Sequence, residues 1–227
     1  MTTVRAHFDR KLSELRDGIL LMGSRVEEEL KLSLEALATL NVDKANEVFA
    51  ADRVVNRLRF EIEEQCFSLI VTQQPAARDL RTIMTAMNVI VDLERMGDQT
   101  KGIAKVVPHL LKQGRVERPP ELRQMGELVG RMLNQVLLAY ARANVDLARV
   151  IAHQDDEVDT LYAQVFGKIM VQMAQTNDPG QIEAHYELLR VARELERFGD
   201  LATNIAERIV YLVTGTFEEI NVETEQS

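Results

Sequence analysis

Apolar residues recur every three or four positions from the start of the chain, at Phe8, Leu12, Leu15, Ile19, Met22, Val26 and Leu30. That spacing lines one face of an α-helix. Asn41-Val42-Asp43 breaks the run, and Asp43 is the predicted N-cap of a second helix. Val48, Val55, Leu58, Ile62 and Leu69 carry the second helix to Gln73–Pro75. A third runs through Ile83, Val89, Leu93, Met96 and Ile103 and is expected to fail near Pro108.

After a polar stretch the plan restarts. Leu122, Met125, Val129, Met132 and Val136 begin a fourth helix, and Asn144-Val145-Asp146 repeats the first turn at an offset of 103 residues. The fifth helix ends at Asn177-Asp178-Pro179-Gly180, with Asp178 as cap and Pro179 at the first helical position. Leu188, Val191, Leu195, Phe198, Ile205 and Ile209 mark a sixth, ending near Gly215. The pattern predicts an all-α chain: six long helices in two tandem pseudo-symmetric antiparallel three-helix bundles. The expected boundaries are 1–112 and 121–217, joined by a linker at 113–120 and followed by a polar tail at 218–227.

Composition narrows the functional classes. A net charge of −9 argues against nucleic-acid binding through a basic face and against adhesion to anionic lipid. The lone cysteine, Cys66, excludes an intrachain disulfide. The N-terminal stretch lacks the apolar segment of a signal peptide, and no run approaches the roughly 20 apolar residues of a membrane span. A cytoplasmic protein without direct membrane insertion is expected.

The duplication brings chemistry with it. Glu94-Arg95-Met96-Gly97-Asp98 returns as Glu196-Arg197-Phe198-Gly199-Asp200. Like charges four apart on one helix face cost a few tenths of a kcal/mol, and each internal glycine costs about 1 kcal/mol against alanine. Such a repeated cost asks for compensation. A second pair is duplicated too, as Asp52 with Asn56 and Asp155 with Asp159. Counting from the hairpin turns places Asp52 level with Asp98, Asn56 with Glu94, Asp155 with Asp200 and Asp159 with Glu196. In the second hairpin those levels lie roughly 28 Å from the bend at 1.5 Å per residue. The third- and sixth-helix acids lie about 100° or more from their apolar stripes, which predicts carboxylates on the outer surface of each helix pair. Gly97 and Gly199 fall nearer the apolar side, where they permit close helix approach. Oxygen-rich clusters of this kind suit hard cations such as iron, manganese, magnesium or calcium. A solvated acidic face with Arg95 and Arg197 as local partners explains the same residues without a ligand.

Other candidates are weaker. His7, His109, His153 and His185 lack the Glu-x-x-His spacing of a di-iron bundle. Cys66 and the methionines read as core. Arg78 and Arg81 at the start of the third helix read as surface residues or as contacts for a partner or a phosphate.

The assembled motifs resemble the PhoU family. The matching segments are Gln74-Pro75-x-Ala77-x-Asp79-Leu80-Arg81, the two Glu-Arg-(Met/Phe)-Gly-Asp segments, Asp155-x-x-Val158-Asp159, Asn204-Ile205-x-Glu207 and the glycine after the last helix. They cover roughly residues 5–217. The resemblance implies two pseudo-symmetric three-helix bundles, a homodimer, and metal held on Glu94, Asp98, Glu196, Asp200, Asp155, Asp159, Asp52 and Asn56. Asn56 departs from the family pattern by offering a neutral carbonyl, so tighter binding is expected in the second half. The resemblance further implies a non-catalytic negative regulator of the phosphate-starvation response. Its expected partners are the Pst phosphate transporter, through the ATPase subunit, and a PhoR-type histidine kinase. Two alternatives stay open on the residues alone: a carboxylate-bridged metal-dependent oxidase or phosphohydrolase, and a helical scaffold whose acids only keep it soluble.

Overall fold

The computed structural model describes residues 2–114 and 116–217, with side chains from residue 5 onward. The expected tail at 218–227 lies outside the described residues. Seven helices and no strand occur among the described residues: α1 (Thr2–Thr39), α2 (Val42–Gln73), α3 (Arg78–Gln113), α4 (Pro120–Arg142), α5 (Val145–His153), α6 (Asp155–Ala174) and α7 (Pro179–Thr214). The fifth expected helix is delivered as α5 and α6, joined through Gln154, whose backbone stays right-handed helical at φ −73°, ψ −15°.

Local chemistry explains most boundaries. The caps of α2 and α5 are Asn41 and Asn144, whose side chains accept from the amides of Lys44 and Leu147 at 3.0 Å each. This corrects the expectation of Asp43, which sits within the first turn of α2. Asp178 caps α7 as expected, accepting from the Gly180 amide. Pro108 does not end α3. Its ring faces solvent while Val106, Val107 and Leu110 around it are buried, and that burial carries the helix to Gln113 despite one lost hydrogen bond. The connection into α4 is tied down as well. The Arg118 guanidinium donates to the Leu37 and Ala38 carbonyls at 2.7 and 3.2 Å, satisfying the C-terminal end of α1.

Each half packs its helices around a shared interior, and one hydrophobic cluster runs from Phe8 to Val210 through both. The halves meet on two antiparallel seams. In one, Arg81 at the start of α3 lies 5.6 Å over the Tyr211 ring near the end of α7, while Gln113 at the other end donates to Glu183 at 2.6 Å. In the other, α1 meets α4 by a reciprocal pair of knobs and holes. Leu34 fills the space above Gly126, where an added Cβ would lie 2.9 Å from its Cδ2. Leu137 fills the space above Gly23 more closely still. Gly126 and Leu137 stand 103 residues after Gly23 and Leu34, so the contact is its own image under the repeat.

This geometry predicts opposite signs for two similar substitutions. Gly23→Ala overfills the seam, a cost of about 1–3 kcal/mol set against about 1 kcal/mol of helix propensity gained. Gly18→Ala gains the propensity alone, since its Cβ would meet Ile62 at an ordinary 3.5 Å. Urea unfolding should show the first variant destabilised and the second stabilised; equal signs would refute the close-approach account.

Candidate functional site: two acidic helix seams

In the first half, α2 and α3 bring Asp52 and Asp98 to one cation. The Lys101 ammonium lies 3.0 Å from Asp52 Oδ2 and 2.6 Å from Asp98 Oδ1. Burial opposes the charge on Lys101, yet the hydrogen bonds it donates to Asp98 and Asp52 hold its pKa above the ordinary value. Asn56 is a donor here: its Nδ2–H reaches Asp52 Oδ2 at 2.8 Å. Glu94 finds its partner a little further along α2, where Arg59 Nη1 lies 3.5 Å away.

The outer-surface expectation concerns the acids on α3 and α7; Asp52 on α2 is placed differently. It is only 5% exposed and turns inward beside Gly97, where an added Cβ would stand 3.5 Å from Asp52 Oδ1 and 3.6 Å from Val55. The missing side chain makes the room. Asp155 behaves alike in the second half: 6% exposed, with Oδ1 3.1 Å from where a Gly199 Cβ would stand. Glu94 and Glu196 are half-buried, while Asp98, Asp159 and Asp200 are exposed.

The second half carries the same acids with different neighbours. Burial raises the Glu196 pKa, and the Asp200 and Asp159 charges add to it against Arg193 and Arg197. Burial likewise raises Asp200, again with help from Asp159. These three carboxylates therefore repel one another across the α6–α7 seam. Arg193 Nε lies 3.7 Å from Glu196 Oε2, too far for a hydrogen bond. The counterpart of Lys101 is Thr203, whose buried hydroxyl has no hydrogen-bond partner.

Sequence reasoning missed Glu29 and Lys101. Glu29 on α1 is fully buried and accepts from Thr100 Oγ1 at 3.2 Å; its Oε1 and Asp52 Oδ1 lack hydrogen-bond partners. Burial first, then the Asp52 charge, pushes its pKa up to about 8. The signal was legible: Glu29 interrupts the apolar stripe of Met22, Val26 and Leu30, and the repeat places Met132 at the matching position.

Chemically, the arrangement offers carboxylate oxygens for hard cations. Among the described residues no three histidine, cysteine, aspartate or glutamate side chains converge to hold an ion. In the second half the donors on the surface, Asp159, Glu196 and Asp200, would have to turn together. Cavities lie elsewhere. One of about 500 Å³ is lined by Leu12, Arg16, Arg78, Tyr140 and Leu212 among others, and includes none of the eight candidate acids and amide. Cys66 is buried, its thiol pushed up to about 12 by burial, then by the Glu63 charge, which makes it inert as a nucleophile.

Comparison with known proteins bears on the whole chain. The PhoU domain model matches residues 19–107 and again 122–209. A "Phosphate-specific transport system accessory protein PhoU homolog" of Clostridium acetobutylicum is 34% identical over 96% of this chain and 99% of its own length. One of the same name from Zymomonas mobilis is 39% identical over 94% of this chain and 89% of its own. The crystal structure of PhoU from Pseudomonas aeruginosa superposes with a TM-score of 0.88 at 34% identity, covering 92% of this chain and all of that one. That of the phosphate transport system regulatory protein PhoU from Streptococcus pneumoniae gives 0.86, over 93% of this chain and 99% of that one.

Proposed function

The chain belongs to the PhoU family, and from that premise we propose that it is a metal-binding regulatory adaptor of the phosphate-specific transport system. In this reading it acts as a cytoplasmic homodimer between the Pst transporter and a PhoR-type kinase. It restrains uptake and holds the phosphate-starvation response off when phosphate is plentiful. Support for the regulatory part comes from relatives named as accessory proteins of that transport system over nearly the whole chain. No helix among the described residues is long and apolar enough to cross a membrane, so the transporter would be met from outside the bilayer.

The observation that carries the metal part is the second acidic seam. Burial first, then the Asp200 and Asp159 charges, raise the proton affinity of Glu196, and burial with the Asp159 charge raises that of Asp200, with neutral Thr203 where the first half has lysine. This donor set fits a hard cation such as iron, manganese or magnesium, with Asp155 completing it from the buried side. A bound ion would supply positive charge that relieves the repulsion. The acids orient that charge on the helix surface, outside any enclosed pocket, where a protein partner can meet it. To bias a kinase, such a face must bind one kinase state more tightly than the other.

Two measurements test this. Cells lacking the protein should show high alkaline phosphatase activity in phosphate-rich medium, falling on restoration; low activity in both would refute the regulatory reading. Glu196→Ala with Asp200→Ala should lower metal content and weaken kinase binding. Phosphatase or oxidase turnover by metal-loaded protein, lost in that variant, would replace the adaptor with the enzyme.

A further inference from the structure

Helices from both halves leave a cavity of about 500 Å³ between their ends, lined by none of the acids of the two seams. Its walls come from the early turns of α1 and α3 and from the ends of α4 and α7. Buried Leu15 and Tyr140 form its floor, with Leu12 and Leu212 half-buried above them. Arg16 and Arg78 are exposed at its rim. An apolar interior with a few charged groups at the entrance is the make-up of a small-molecule site, and the volume suits one.

Both guanidinium groups have donors to spare. Arg16 donates to Ser13 Oγ at 3.3 Å and lies 4.0 Å from Asp17 Oδ1, outside hydrogen-bond range. Arg78 makes no ion pair among the described residues. Asp9, the acid among the lining residues, is held by Arg5 at 2.9 Å. The repeat shows a committed arginine for comparison. At the other end of the molecule Arg118 donates to the Leu37 and Ala38 carbonyls at the C-terminus of α1. Tyr140 and Ala141, 103 residues later, line the open cavity instead.

We propose that this cavity binds a small amphiphilic anion, its phosphate or carboxylate head engaged by Arg16 and Arg78 and its apolar body against Leu12, Leu15 and Leu212. Guanidinium forks match either head group with paired hydrogen bonds. Burial, then the Cys66 charge, pushes the Tyr140 hydroxyl up against the pull of Arg16, so the floor stays uncharged. The site goes beyond the metal-binding reading and does not depend on it. Because its walls belong to both halves, a bound anion ties α1 and α3 to α4 and α7 and stabilises the folded chain by mass action.

The test uses full-length protein in chelator, with binding read by isothermal titration calorimetry and by melting temperature. Adenosine monophosphate and octanoate carry both head and body, inorganic phosphate only a head, and adenosine only a body. One of the two whole molecules should bind once per chain, raise the melting temperature, and bind at least about tenfold more tightly than either part. Adenosine monophosphate alone would mark a phosphate ligand with a flat body, and octanoate alone an aliphatic carboxylate. Arg16→Gln with Arg78→Gln should weaken binding by about tenfold or more, the loss of charge-assisted hydrogen bonds. Val213→Trp keeps both arginines and fills the cavity from an exposed wall position, and it should abolish binding. Both variants should melt with the wild type when no ligand is present; if one does not, the other decides. Binding retained by a variant that folds normally overturns the proposal. So does a part that binds as tightly as the whole, or a failure of both whole molecules to bind at about 1 mM.

Discussion

Glu29→Gln should make the protein more stable at pH 8 than the wild type, by a margin that shrinks towards zero near pH 4.5. Glu29 is fully buried, and burial with the Asp52 charge pushes its pKa from 4.5 up to about 8. Because the folded value lies above the unfolded one, the native state holds the proton more tightly between those two pH values. The stability this contributes is fully present below pH 4.5 and is lost as pH rises to about 8, staying flat beyond. A gap of that size corresponds to on the order of 4–5 kcal/mol. For a chain of this length each kcal/mol moves the melting temperature by about 2–4 °C, so a difference of roughly 10 °C is expected at pH 8. Glutamine keeps the acceptor for Thr100 and adds a donor for Asp52 Oδ1, which has none. Melts of both proteins from pH 5 to 9 in chelator check this. A difference that does not vary with pH would mean that Glu29 carries no such burden.

Phe198→Ala should cost about 3–5 kcal/mol, the range for removing a buried aromatic side chain. Phe198 is 0% exposed and among the largest fully buried side chains, on α7 between Glu196 and Gly199. Its loss leaves a cavity beneath the acidic seam, so the donor geometry should loosen along with the core. The repeat provides the control. Met96 occupies the matching place in the first half and is also 0% exposed. Phe198→Met therefore borrows a residue already tolerated beside the same motif, and its cost should stay below about 1.5 kcal/mol. Urea unfolding of the two variants separates them. Equal losses would show that the halves pack this position by different rules.

Much of the architecture was legible because helices announce themselves locally. The period of apolar residues and the Asn-Val-Asp turns depend on neighbours a few positions apart, and the repeat is read by comparing one half of the sequence with the other. The duplicated acids and their level pairing across each hairpin followed from counting alone. Lys101 joining Asp52 to Asp98 agrees with that count. Local rules misled where burial outweighed propensity. Pro108 reads as a stop, but the buried residues around it keep α3 going. Gln154 divides the fifth helix where no sequence breaker stands.

By itself the sequence determined that this chain is all-helical, duplicated and lined with repeated acids, because those properties belong to single helices and their spacing. Only the tertiary structure decided which acids are inside. Asp52 and Asp155 turn into the seams because Gly97 and Gly199 vacate the space opposite, a fact that needs two helices at contact distance. It also decided which charges answer one another: Glu29 on α1, Asp52 on α2 and Lys101 on α3 are far apart in the chain and meet only when three helices pack. Helix periodicity assigns a face. What stands against that face is a property of the packed bundle, where removal from water turns a charge of little local consequence into a strong constraint.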